Sequence, residues 1–284
     1  MKKSGLTANQ IKVIALCAMT LDHLASYGSA IPVLSMYSHF LRIIGRIAAP
    51  LFLFALTESI HYTHDRTVFA FRLYFGAVGV GLFTAVTNYF FGSSIGRFSG
   101  NNILFTYFYT ALYVLLIELL KQSVENKNVK SSIICVLAIA STIIPNYISK
   151  YLRQTVVSTD WGWDLVNSLV VGALQVEYSI LFIIMGVLMY FAPNKYCKVI
   201  VLAIFSLGCY YGDRFQTILL MISPDPYYAD PQCWMILAVP IILAYNGEKG
   251  NAHKWFFYIY YPTHRYVIAV VEFIYVAVQS MQLQ

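Results

Sequence analysis

Residues 10–27 read QIKVIALCAMTLDHLASY, an apolar run of membrane-spanning length that carries an aspartate and a histidine, Asp22 and His23, in its second half. About 20 mostly apolar residues cross the hydrocarbon core as a helix. The run has no small-residue cleavage site and holds that acid–base pair, so it reads as a retained first span and not as a signal peptide. It follows a basic leader with Lys2 and Lys3.

The rest of the chain has the same character. Of its 284 residues 59% are hydrophobic, 16% aromatic and only 11% charged, and its mean hydropathy is +0.64. A soluble domain carries about a quarter charged residues because its surface faces water. The deficit here means that most of the surface meets lipid. Further apolar runs fall at Leu41–Ile60, Thr67–Phe91, Asn102–Leu120, Ser131–Ser149, Tyr196–Ile222, Gln232–Tyr245 and Lys254–Ala277. The stretch Thr159–Phe191 is either one long tilted helix or a re-entrant piece near residues 165–173 followed by a span. The expected fold is an all-α polytopic bundle of about nine spans (eight to ten), one integral-membrane domain over residues 1–284.

The net charge of +6 does not mark a nucleic-acid surface, because the basic residues lie between the apolar runs, where topology signals belong. With the amino terminus inside, the inner connections hold Lys2, Lys3, Arg66, Lys121, Lys127, Lys130, Lys195, Lys198, Lys249 and Lys254. The outer ones hold Arg97, Lys150, Arg153 and Arg214, with Asp213, Asp225 and Asp230. The expected location is the cell membrane, amino terminus cytoplasmic and carboxyl terminus outside. The five cysteines are scattered, and no cluster of His, Cys or carboxylates has ligand spacing, so no metal is expected.

Ionisable residues inside the apolar runs are costly, about 2.5–3.5 kcal/mol each on insertion scales, and mark sites or ion pairs. They are Asp22 and His23 in the first run, Arg46 in the second with Arg42 and Glu58 nearer its ends, Glu177 in the middle stretch, and His264–Arg265 in the last. Counting residues along each helix puts Asp22, His23, Arg46, Glu177 and His264 at similar depth. One reading is a catalytic or transport site, since imidazole titrates near neutral pH. The other is a buried pair, Arg46 with Asp22 or Glu177, that fixes helix register. The tyrosines near these residues, Tyr178, Tyr260 and Tyr261 among 23 in all, are more often packing than chemistry.

The order of motifs resembles the TraX family of membrane acetyltransferases, named for pilin acetylation. It begins with Leu6-Thr7-Ala8-Asn9-Gln10-Ile11-Lys12 and Met19-Thr20-Leu21-Asp22-His23. It continues in Leu41-Arg42-Ile43-Ile44-Gly45-Arg46-Ile47-Ala48 before Pro50, in Glu58, and in Asn102-Ile103-Leu104-Phe105-Thr106. It ends in Leu243-Ala244-Tyr245-Asn246-Gly247-Glu248-Lys249-Gly250 and Phe256-Phe257-Tyr258-Ile259-Tyr260-Tyr261-Pro262-Thr263-His264. The chain departs from the pattern at Glu177-Tyr178-Ser179, where Asp-Tyr-Gly is expected, and at Ser59, where glycine is usual. Transmembrane acyltransferases of surface sugars are more distantly similar; many place a basic residue eleven positions before a first-helix histidine, as Lys12 stands before His23.

The resemblance implies acetyl transfer from cytosolic acetyl-CoA, as donor substrate, to a protein amine or a glycan hydroxyl at the outer face. His23 would be the general base, Asp22 would hold its ring or balance its charge, Arg46 would face the developing oxyanion, and His264 would be the second candidate base. Arg42, Arg66, Arg72, Asn246, Gly247 and Lys249 are the candidates for binding the donor, and Glu58, Asn102, Glu177, Tyr178 and Tyr261 for lining the site. A proton-coupled transporter or flippase using His23, Glu177 and His264 as a relay is the alternative.

Overall fold

The structure is a computed structural model that describes residues 4–220, 231–251 and 254–282, with the side chains of 212–220, 231, 254–256 and 258 left outside that description. Twelve α-helices run in chain order among the described residues. They are α1 (Ala8–Tyr27), α2 (Pro32–Gly45), α3 (Ala48–Tyr62), α4 (Arg66–Ile95), α5 (Ile103–Glu125), α6 (Val129–Ser141), α7 (Ile144–Thr155), α8 (Asp160–Leu169), α9 (Ser179–Phe191), α10 (Lys195–Leu220), α11 (Val239–Leu243) and α12 (Lys254–Gln282), with a 3₁₀ helix (Pro231–Ala238) before α11. A lone parallel bridge, Leu6 to Tyr245, is the extended pairing among them.

Four stretches are long and apolar enough to cross a membrane: Pro32–Tyr62, Arg66–Ile95, Ile103–Glu125 and Val129–Thr155. Of the other expected spans, Tyr196–Ile222 runs beyond the described residues, and Ser179–Phe191 and Gln232–Leu243 are shorter apolar helices. α9, with 13 residues, rises about 20 Å at 1.5 Å per residue, short of a 30 Å hydrocarbon core. Four of the expected spans are thus seen among the described residues, in an all-helical membrane protein.

Two of the expected spans are each divided, and proline accounts for both divisions. Residues 41–60 fall on α2 and α3, joined at residues 46–47. Pro50 has no N–H to give the carbonyl of Arg46 one turn back, so the ladder opens there. Residues 131–149 fall on α6 and α7, and Pro145 denies Ser141 its donor in the same way. The middle stretch is not one tilted helix: α8 ends at Leu169, residues 170–178 are non-helical, and α9 begins at Ser179.

The chain divides into two compact units. Unit 1 comprises residues 1–58 and 192–284, and in it α1 packs on α2 and α12, while α10 packs on the 3₁₀ helix and α11. Thr7 caps α1 in a capping box with Gln10. The loop that follows α11 covers the same helix end: the carbonyls of Glu248 and Lys249 accept from Ala8 N and Asn9 N at 2.8 and 3.0 Å. The Asn9 side chain in turn donates to the Gly250 carbonyl at 2.7 Å. Gly250 has φ of 70°, and a side chain there would run into Thr7. Unit 2, residues 59–191, is built on α5, which packs against α4, α6 and α9, with α8 on α4.

Candidate functional site

Unit 1 brings together four of the residues singled out in the sequence, from three segments. His23 is half-buried on α1 and His264 is buried on α12. His23 Nδ1 lies 2.5 Å from His264 Nε2, and His264 Nδ1 lies 2.9 Å from the carbonyl oxygen of Tyr260. The two imidazole planes are 8° apart and their centroids 4.7 Å. That separation is what two ring radii added to the N···N contact give, so the rings meet edge to edge in a common plane.

The direction of the chain follows from what each atom can do. A carbonyl oxygen only accepts, so His264 Nδ1 carries a proton and donates to Tyr260. In the neutral ring Nε2 is then the acceptor, and His23 Nδ1 must supply the proton of the short contact. His23 Nε2 is left with its lone pair and no hydrogen-bond partner among the described residues. The ring of Tyr260 stacks on His264, with centroids 5.3 Å apart and planes within 2°, and its hydroxyl meets Thr20 Oγ1 at 2.8 Å. Tyr261 packs with Tyr260 against the cluster of Leu16, Ala18, Met19 and Ala48.

Asp22 does not hold the imidazole beside it in sequence. Neighbouring positions on a helix diverge by about 100°, and the Asp22 carboxylate turns to Arg46, 2.5 Å away, with the two side chains 15% and 9% exposed. Arg46 lies at the α2–α3 break, where it also donates to Gln232 Oε1 at 3.3 Å and to the Arg42 carbonyl at 3.4 Å. At least three of its five donors are thus placed by protein groups. Gly45 makes the approach possible, since a side chain there would overlap Asp22. Arg42 is exposed one turn earlier.

Glu58 is paired with Lys198 of α10, and both are largely buried. The lysine ammonium also sits over the ring of Phe54 at 5.4 Å. Reading Lys198 as a topology signal missed this partnership. Its position inside an apolar run, three residues after Lys195, was the available clue.

The donor-side candidates divide between the units. In unit 1, Asn246, Gly247 and Lys249 form the loop over the start of α1, with Asn246 N donating to the Leu6 carbonyl and Asn246 Oδ1 accepting from Glu248 N. Gly247 has φ of 83°. Lys249 is exposed. In unit 2, Arg66 is paired with Glu118 at 2.5 Å, and Glu118 also accepts from the Tyr190 hydroxyl at 2.6 Å. Arg72 is exposed on α4.

The remaining lining candidates also belong to unit 2. Asn102 is 2% exposed, and its amide is used to cap α5 and to donate to the Ala77 and Gly100 carbonyls. The Glu177 backbone carbonyl accepts from Thr106 Oγ1 at 2.7 Å. Tyr178 and Ser179 have φ of 63° and 65°, in the left-handed region.

Comparison with known proteins agrees with the motif order. The family model described as "TraX protein" matches residues 7–272. A curated relative, the probable fimbrial assembly protein FimC, serogroup H1, of Dichelobacter nodosus, is 26% identical over 273 residues, covering 91% of this chain and 92% of its own. No solved structure matches the chain. With the matched region taking in the Asp22–His23 pair, the Arg46 break and His264 alike, the chain belongs to the TraX family.

Proposed function

We propose that the protein is a membrane-embedded acetyltransferase that moves an acetyl group from cytosolic acetyl-CoA to an amine or hydroxyl at the outer face of the membrane. The observation that carries the reading is the directed chain from the Tyr260 carbonyl through His264 to His23, which leaves His23 Nε2 as an oriented base. Membership of a family associated with pilin acetylation, and similarity to a protein named for fimbrial assembly, support it.

His23 Nε2 takes the proton of the acceptor as its nitrogen or oxygen attacks the thioester carbonyl carbon. The tetrahedral oxyanion then collapses, the carbon–sulfur bond breaks, and the imidazolium returns its proton to the departing thiolate. General base catalysis of this kind is worth about 10²–10⁴-fold. His264 fixes the tautomer of His23 and shares the charge of the imidazolium, the part a carboxylate plays in other base-orienting triads. The Asp22–Arg46 pair clamps α1 to the α2–α3 break and so fixes the register of His23. Lys12 lies in the second turn of the same helix, and eleven residues at 1.5 Å put about 16 Å between it and His23. A donor arm can span that rise while the nucleotide phosphates stay with Lys249 and the Asn246–Gly247 loop in water.

Purified protein in detergent, given acetyl-CoA and followed for free thiol, tests the reading. Wild type should release thiol and His23→Ala should not. Folded wild type that neither binds acetyl-CoA nor releases thiol would leave a proton relay for transport as the better account of the same histidines.

A further inference from the structure

Outside the histidine site, unit 2 contains a cavity of about 320 Å³ bounded by α7, α8 and the non-helical segment 170–178. Ligand pockets run from about 300 to 1,000 Å³, so the space suits a head group and not a large substrate. Its charge is one-sided. Lys150 and Arg153 both line it, one turn apart on α7, and no acidic side chain does. Elsewhere in the unit Arg66 and Arg97 have carboxylate partners, Glu118 and Asp164, each at 2.5 Å. Among the described residues neither Lys150 nor Arg153 has an ion-pair partner.

The lining sets a cation against an aromatic wall. The Arg153 guanidinium lies 4.5 Å above the ring centre of Trp163, a contact through its face that leaves its N–H edges free for an anion. Asn146 is 8% exposed, and its Oδ1 is buried without a hydrogen-bond partner. The Gln175 side chain is held in the same wall by Ser149, which donates to its Oε1 at 2.8 Å. Gly172 leaves the room that the Asn146 amide occupies.

The position of α7 narrows the ligand further. Ile144, Tyr147, Ile148 and Tyr151 are 45–69% exposed, while Asn146 and Ser149 on the same helix are buried. α7 is the second half of Val129–Thr155, a stretch long and apolar enough to cross a membrane. Lys150 and Arg153 stand in the last turns of that stretch, where basic side chains at the end of a span reach lipid phosphates.

We propose that this open pocket binds an anionic phosphate ester, with Lys150 and Arg153 on the phosphate. The site does not depend on acetyl transfer. The phosphate ester is either the head group of a lipid or a free molecule, and the probes separate the two.

The experiment is calorimetric titration of the full chain in a non-ionic detergent with glycerol 3-phosphate, short-chain phosphatidylglycerol and short-chain phosphatidylcholine. Wild type, the double variant Lys150→Gln/Arg153→Gln, and the charge-matched linker variant Lys127→Gln/Lys130→Gln are compared, each checked for helicity and melting temperature. Wild type and the linker variant should bind at least one glycerophosphate probe in preference to phosphatidylcholine. Lys150→Gln/Arg153→Gln should lose on the order of tenfold or more in affinity, as removal of charge-assisted hydrogen bonds implies. Binding of the free compound assigns a soluble ligand, and binding of the lipid alone assigns a bilayer lipid. Equal binding of phosphatidylglycerol and phosphatidylcholine by wild type, or equal affinity of the two double variants, overturns the proposal.

Discussion

His23 Nδ1 and His264 Nε2 share one hydrogen bond of 2.5 Å, and its polarity is set one group further on, where His264 Nδ1 donates to the Tyr260 carbonyl. Two histidines 241 positions apart in sequence are thereby made unequal. One presents a lone pair, and the other exists to orient it.

That inequality predicts an order of effects on thiol release from acetyl-CoA. His23→Ala should lower kcat by about 10²–10⁴-fold, the worth of a general base. His264→Ala should cost less, on the order of 10²-fold, as for a reacting group misplaced by about 1 Å. Because the two act as one device, the double variant should be no slower than His23→Ala alone. A double variant slower by the product of the two single effects would mean two independent bases.

The Asp22–Arg46 pair makes a different prediction, read in melting temperature. Removing one member of a buried pair strands the other, at about 3–5 kcal/mol, whereas replacing both with apolar groups of similar size is often close to neutral. Asp22→Leu and Arg46→Met should each melt well below wild type, and the double variant above either. Gly45→Ala should resemble the single variants, because its methyl group would displace Asp22. Gly208→Ala is the control: it is also a helical glycine of unit 1, with nothing within 4 Å of the new methyl group. It should be neutral or stabilising by up to about 1 kcal/mol. Catalytic loss in Arg46→Lys at unchanged melting temperature would instead make Arg46 an oxyanion donor.

Much of this site could be read in the sequence, because Asp22, His23, Arg46 and His264 interrupt runs that are otherwise apolar. The pairing of Arg46 with Asp22 could be read as one of two choices, Glu177 being the other, and the structure makes it. The pairing of His23 with His264 could not, because which face of α1 meets α12 depends on the rotation of each helix. The breaks at 46–47 and 142–143 were hidden for another reason. Pro50 and Pro145 act on carbonyls one turn upstream, and hydropathy does not register a missing N–H. Lys198 was lost to a rule that treats flanking lysines as topology signals, although it is buried against Glu58 and Phe54.

Ser179 allows the departure from the family pattern to be tested directly. It stands where the TraX pattern resembled above has glycine, and its φ of 65° is a conformation that glycine adopts without penalty. For an L-residue the left-handed region costs roughly 1–2 kcal/mol. Ser179→Gly should therefore stabilise the protein by about 1 kcal/mol, less whatever the more flexible residue gains in the unfolded chain. A fall in melting temperature would mean that the Ser179 hydroxyl, which accepts from Leu181 N at 3.3 Å, outweighs the backbone strain.

The donor end of the proposal rests on distinguishing free cations from committed ones. Lys249 is exposed on the loop over the start of α1, while Arg66 is committed to Glu118 and lies 5.8 Å from the ring centre of Tyr190. Attraction between an exposed ammonium and the CoA phosphates adds equally to ground state and transition state. Lys249→Gln should therefore raise KM for acetyl-CoA and leave kcat unchanged. Salt should imitate the substitution in wild type, since exposed charges more than about 8 Å apart are largely screened at physiological ionic strength, and should have little further effect on the variant. Arg66→Gln should leave KM unchanged and lower the melting temperature slightly, its pair being about a third exposed on each side and such pairs contributing about 0–1 kcal/mol. If KM instead follows Arg66 and ignores Lys249, the nucleotide is held by unit 2, and the loop at 246–250 serves to cap α1.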